Sequence, residues 1–169
     1  MSDNKAPVGA RRERPHMRNY GIAEDDEGLL LWDWVETRLV KARNYWVATA
    51  SSESVPHAAP VWGLWHEGKF YFGSEPTARK SRDIAANPLV SLHLESGDEV
   101  VIVNGTVSLS DDLDLSARLA PIYGAKYPPF APDASQKYYV VTPSVVLAWV
   151  EADFPTTATR WTFDVDDVD

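Results

Sequence analysis

Three neighbouring stretches decide the fold: Tyr45–Ser51 reads YWVATAS, Val55–His66 reads VPHAAPVWGLWH, and Lys69–Gly73 reads KFYFG. Their apolar residues recur with a period of two, and aromatic and β-branched side chains dominate. That is the pattern of strands buried on one face. Ser51–Ser54 and Glu67-Gly68 separate them at hairpin length. An antiparallel meander is therefore expected. Pro60 has no N–H to give to a ladder, so its strand should lie at a sheet edge or carry a bulge.

Upstream, Leu30, Leu31, Trp34, Val35 and Leu39 recur at helical spacing, which predicts a helix over 28–43. Arg38, Lys41 and Arg43 suit its C-terminal end. Downstream, 76–87 reads as a short helix opened by Pro76 and stopped by Pro88. Leu89–Glu95 and Glu99–Leu109 read as a hairpin across Ser96-Gly97-Asp98. Asp111, Asp112 and Asp114 open a helix to Tyr123, and a proline-rich loop follows over 127–133. Val145–Glu151 and Thr159–Asp164 close the pattern as strands. Short connections between mostly antiparallel strands predict a mainly β fold. About seven strands should form a closed or partly open barrel, with about three helices packed outside. Residues 28–165 form the expected single domain. Residues 1–27 read as a flexible arm, arginine-rich first and acidic later, and 166–169 as an acidic tail.

The composition narrows the function. The chain has 169 residues, 44% of them hydrophobic and 24% charged, which suits one globular domain. Cysteine is absent, so disulfides, thiolate catalysis and cysteine-ligated zinc are excluded. No apolar run reaches membrane-span length and no signal-peptide pattern opens the chain, so cytoplasm is the expected compartment. The net charge of −9 disfavours nucleic acid and anionic membranes as partners. An anionic ligand would need a local cationic site.

One such site is legible. Thr77-Ala78-Arg79-Lys80-Ser81-Arg82 puts three cations and two hydroxyls at the start of a short helix. Cations are unfavourable there unless an anion joins them, in which case amides, hydroxyls and cations converge on its oxygens. The ordinary alternative is a solvated face with an Arg79–Asp83 pair. A second constellation is His57-Ala58-Ala59-Pro60-Val61-Trp62-Gly63. Its small side chains and interrupted ladder let a flat ligand approach the backbone, with Trp62 and Trp65 as aromatic walls; the ordinary alternative is a protective edge strand. His57, His66 and His93 show no metal-ligand spacing, and no metal is expected. No Ser-His-Asp signature, Walker loop or dinucleotide fingerprint is present.

In their order along the chain, RNYWVATAS, VPHAAPVWGLWHEGKFYF and ARKSRDIAANPLVSLHLESGDEVVIVNGTV resemble the pyridoxamine 5′-phosphate oxidase-like, flavin-binding split β-barrel family. The resemblance covers roughly residues 29–165. Trp46-Val47-Ala48-Thr49, Pro60-Val61-Trp62 and Ala86-Asn87-Pro88 look closest to the branch with deazaflavin-dependent reductases. The resemblance implies a homodimer with cofactor sites at the subunit interface. It implies that the His57–Trp62 strand, including Ala59, Pro60 and Val61, lines the flavin ring, with Tyr71 and Phe72 beside the ribityl chain. Arg79 and Lys80, preceded by Thr77 and Ala78, would hold the phosphate. Glu99 would lie near the ring, and Trp149 and Arg160 would reach the partner subunit's cofactor. The segment before Arg160, Thr156-Thr157-Ala158-Thr159, lacks the Arg-x-His motif of true pyridoxamine-phosphate oxidases, so oxidation of that substrate is not expected.

The resemblance thus implies an oxidoreductase using FMN, or alternatively the deazaflavin coenzyme F-420, on an unidentified small molecule. The deazaflavin's longer acidic tail would want further cations, for which Lys126, Lys137 and the N-terminal arginines are candidates. No side chain is an obvious acid or base; His57, Tyr71 and Tyr127 have suitable chemistry. Two other classes stay open. One is a non-enzymatic flavin or haem binder, with His57, His66 or His93 as axial ligand. The other is a cofactor-free barrel acting through its surface.

Overall fold

The computed structural model describes residues 9–163. Its strands are β1 (Ala10–Glu13), β2 (Tyr45–Ala50), β3 (Pro56–Val61), β4 (Leu64–His66), β5 (Lys69–Phe72), β6 (Leu89–His93), β7 (Glu99–Ser110), β8 (Tyr138–Val150) and β9 (Thr159–Phe163). The helices are α1 (Trp32–Lys41), α2 (Arg79–Ala86), α3 (Leu113–Lys126) and a single turn, α4 (Phe154–Thr157). No helix among the described residues is long and apolar enough to cross a membrane.

All pairings are antiparallel, and the sheet runs β1-β9-β8-β7-β6-β2-β3. β4 pairs with β5, and β5 with the first half of β8. Because β3 continues through Trp62-Gly63 into β4, the path closes into a barrel of β2, β3/β4, β5, β8, β7 and β6. The barrel is split at Pro143. Before it, one edge of β8 pairs with β5 (Val141 opposite Phe70); after it, the same edge pairs with β9 (Val145 opposite Thr162). Proline offers no ladder donor at this change of partner. Opposite Pro143 stands Gly105, where the register shifts. A Cβ there would collide with the Thr142 carbonyl, its carbon only 2.9 Å away.

Trp32, Tyr45, Phe70, Phe72 and Trp161 are fully buried in the main core. A second, smaller cluster of Leu64, Tyr71, Leu119, Tyr123, Tyr127, Tyr138 and Val140 joins α3 to the barrel wall.

Several sequence expectations are corrected. The arm over 1–27 is not wholly solvated: β1 pairs with β9 in register Arg12↔Trp161. Arg14 clamps the segment down. Its guanidinium donates to the backbone carbonyls of Asp25 (2.8 Å), Glu27 (2.6 Å) and Ala158 (3.3 Å), and to that of Thr156. Such long-range carbonyl pairing leaves no periodic signature in sequence. Residues 1–8 and the acidic tail lie outside the described residues. α1 starts at Trp32 rather than Gly28, and α2 at Arg79 rather than Pro76, which lies in the preceding turn. Val55–His66 is two strands because the chain bends at Trp62-Gly63. β8 begins at Tyr138, not Val145, since both faces of its first half are covered and periodicity disappears there. Glu67 and Gly68 take positive φ, 49° and 75°, as a two-residue hairpin turn requires.

Candidate functional site

A cleft of about 400 Å³ lies between the β3/β4 bend, the segment after β5, the start of α2, and α3 with its following loop. Each wall has a local cause. Pro60 stands opposite Trp46 on β3, the last strand of the sheet path, as its missing donor demands. The bend exposes Trp62, which keeps 41% of its surface, while Val61 and Gly63 on either side are buried. Gly63 is obligatory: a Cβ there would enter the Phe70 ring and approach the Tyr71 carbonyl oxygen at 2.7 Å.

α2 is fixed from two sides. Buried Thr49 of β2 donates to the Asp83 carboxylate at 2.9 Å, and Ser81 donates to the Glu75 carbonyl at 2.7 Å. These bonds anchor α2 to β2 and to the segment after β5. Its N-cap, Ala78, has no side-chain cap, and its first turn carries no acid. Lys80, in this first turn, is the α2 residue that lines the cleft.

The structure divides the cationic cluster. Lys80 lines the cleft with Gly73, Ser74 and Glu75. Arg79 instead bonds the Pro56 carbonyl at 3.4 Å and pairs with Asp83 at 3.8 Å, the i,i+4 pair that the spacing allowed. Arg82 donates to the Thr77 carbonyl. Thr77 is exposed and Ala78 half-buried beside them.

The other predicted residues separate in the same way. Pro60, Val61 and Trp62 are in the cleft wall. His57 and Ala59, half-buried on the same strand, stand opposite Thr49 and Val47. Tyr71 is buried in the smaller cluster. Phe72 is buried among Phe70 and Tyr139, facing the core. Within the chain, Glu99 pairs with Arg38, Arg160 with Glu13 at 3.3 Å, and Trp149 packs edge-on against Phe154. These last three do not line the cleft.

The wall that residue motifs missed comes from α3, its loop and the start of β8: Tyr123, Phe130, Pro132, Gln136 and Tyr138. The only sequence signal was the proline-rich loop with tyrosines on either side. Tyr127 anchors it, accepting the Gly63 N–H at 3.0 Å and donating toward the Arg43 carbonyl at 2.7 Å. Trp62 stacks on Tyr127 at 4.8 Å between centroids. Burial raises the pKa of Tyr71, Tyr123, Tyr127 and Tyr138, so these hydroxyls stay protonated at neutral pH. The buried Tyr138 hydroxyl has no hydrogen-bond partner among the described residues. The cleft is thus polar at one end, where Lys80 lies with Ser74 and Glu75, and aromatic at the other.

Among the described residues no group of three or more His, Cys, Asp or Glu converges. His66 lies beside Glu67, and His93 stacks on Trp46.

Comparison with known proteins agrees with this architecture. An F-420 reductase superposes with a TM-score of 0.55 at 22% identity, over 66% of this chain and 94% of its own. A conserved hypothetical protein from Mycobacterium tuberculosis gives 0.64 at 15%, over 76% and 89%. General Stress Protein 26 from Bacillus anthracis gives 0.53 at 17%, over 67% and 89%. At these identities the likeness is one of fold. No curated protein matches the sequence. The family model described as pyridoxamine 5′-phosphate oxidase matches residues 31–150, from the start of α1 to the end of β8. By that match the chain belongs to the pyridoxamine 5′-phosphate oxidase family.

Proposed function

We propose that the protein is an oxidoreductase that holds FMN in this cleft and acts on a small molecule other than pyridoxamine phosphate. The observation that carries the reading is the polarity of the cleft. Lys80, in the first turn of α2, stands with Ser74 and Glu75 at one end, and the Pro60–Trp62 backbone with its aromatic walls at the other. A phosphate fits the first and a planar ring the second. When bound, the cofactor supplies hydride chemistry. Lys80 would neutralise the phosphate, the β3 backbone would orient the ring, and Tyr123 and Phe130 would exclude water. Trp149, Arg160 and Glu99 lie outside the cleft of a single chain, so any part they play would fall in a dimer. Pro56, Ala58 and Pro60 form an exposed row on the last strand of the path, a face that a second copy would cover in such a dimer.

The F-420 reductase of similar fold makes coenzyme F-420 the second reading. Its longer acidic tail would need cations beyond Lys80. Lys137 pairs with Asp111, Lys126 donates to Tyr45 and Gly63, and Arg14 serves backbone carbonyls. These commitments favour FMN.

The test is titration of the apo-protein with FMN and, separately, with coenzyme F-420. Tight FMN binding that weakens about tenfold or more in Lys80→Ala, with Arg79→Ala closer to wild type, is the expected outcome. Binding of F-420 alone would transfer the assignment to the second reading. Binding of neither would refute both.

A further inference from the structure

We infer that the stacked Trp62–Tyr127 pair bordering the cleft is an anion subsite, in which Arg43 and Trp62 receive a flat aromatic carboxylate. Arg43 follows α1 in sequence and is exposed. Its guanidinium lies 5.4 Å from the centroids of both Trp62 and Tyr127, at the margin of their stacked pair. Lys126, at the end of α3, lies 5.5 Å from the Tyr127 centroid on its own approach. Its ammonium donates to two neutral oxygens, the Tyr45 hydroxyl at 2.7 Å and the Gly63 carbonyl at 3.1 Å. Among the described residues, no carboxylate forms an ion pair with Arg43 or Lys126.

In a chain of net charge −9, two cations gathered around one aromatic pair without a carboxylate form a local positive field. Trp62 keeps 41% of its surface exposed, and Phe130, 46% exposed, stands edge-on to it at 6.3 Å. A planar ring can stack on this exposed indole, and a carboxylate on its edge meets the Arg43 fork. Lys126, half-buried and already holding two oxygens, adds long-range attraction rather than a direct bond. Arg43, Lys126 and Tyr127 are not among the residues that line the cleft with Lys80, so this subsite borders the cleft and does not compete for the wall given to a cofactor ring. Calling the carboxylate a substrate rests on the cofactor reading; its binding does not.

The test uses the full chain and a matched pair of compounds, 2-naphthoate and its neutral analogue 2-naphthamide, titrated by calorimetry with and without FMN. Wild type should bind the naphthoate at least tenfold more tightly than the naphthamide. Arg43→Gln, an exposed substitution, should reduce that preference to about twofold while leaving naphthamide affinity and the thermal midpoint unchanged. Trp62→Ala should weaken both compounds. Equal affinity of wild type for the two compounds, no binding of naphthoate, or an undiminished preference in Arg43→Gln would each overturn the subsite. The same proteins titrated with FMN separate the two readings. Loss of FMN binding in wild type with the carboxylate preference intact would refute the cofactor assignment and leave the subsite standing. Retained FMN binding with no preference would do the reverse.

Discussion

The two cationic clusters of this acidic chain differ in how they are made. Arg79, Lys80 and Arg82 are contiguous in sequence, yet the fold scatters them: Arg79 pairs with Asp83, Arg82 caps a carbonyl, and Lys80 lines the cleft. Arg43 and Lys126 stand eighty-odd positions apart, yet the fold gathers both around Tyr127. Neighbours on a helix point in different directions, a hundred degrees or so apart. Residues brought together by an anchored loop point at one place. A run of charge is therefore weak evidence of a charged site, and the commitments of each cation decide what it can bind.

The sharpest way to break the second cluster is at its backbone. Gly63→Ala drives a methyl into the Phe70 ring, which is fully buried and cannot retreat, and toward the Tyr71 carbonyl. We expect a loss of about 3 kcal/mol, the upper range for overpacking, read by urea unfolding. A loss below about 1 kcal/mol would mean that the bend can relax.

The first cluster depends instead on a buried polar contact. Asp83→Ala removes the acceptor of Thr49 and the partner of Arg79. Leaving a buried hydroxyl unsatisfied should cost about 2 kcal/mol. With Arg79 freed, FMN affinity should hold or rise slightly if α2 keeps its place. A stable variant with greatly weakened FMN binding would show that the contact positions α2 and does more than anchor it.

A smaller, pH-dependent effect distinguishes Lys126 from the exposed cations. Burial pulls its ammonium down to about 8 from an ordinary 10.5. Between these values the unfolded chain holds a proton that the folded chain has released. This group's contribution to stability therefore rises as pH climbs through that window. The tyrosines oppose it above their ordinary value of 10. Burial raises Tyr45 and Tyr123, so the unfolded chain ionises first and stability falls. Denaturation profiles from pH 7 upward should show a rise near 8 to 10 in wild type that Lys126→Met flattens. An identical slope in the variant would mean that the ammonium is well solvated. The smallest effect is expected at Lys137, whose pair with Asp111 is exposed on both sides; Lys137→Ala should change stability by about 0.5 kcal/mol or less by the same unfolding measurement.

The sequence alone determined the meander, the Pro60 edge, the Glu67-Gly68 turn and the α2 segment. Each rests on a local cause: period-two burial, a missing donor, positive φ or a helix start. The Pro60–Trp62 wall and Lys80 were legible for the same reason. Three things were decided only in three dimensions. β1 exists because β9 and the carbonyls around Arg14 receive it. The first half of β8 was hidden because a strand covered on both faces loses its alternation. The far wall of the cleft, Tyr123 and Phe130, forms because Tyr127 ties the α3 loop to Gly63 and the Arg43 carbonyl. Local chemistry fixes the elements. Which of their side chains share a cleft depends on hydrogen bonds between residues dozens of positions apart, and no periodicity records those.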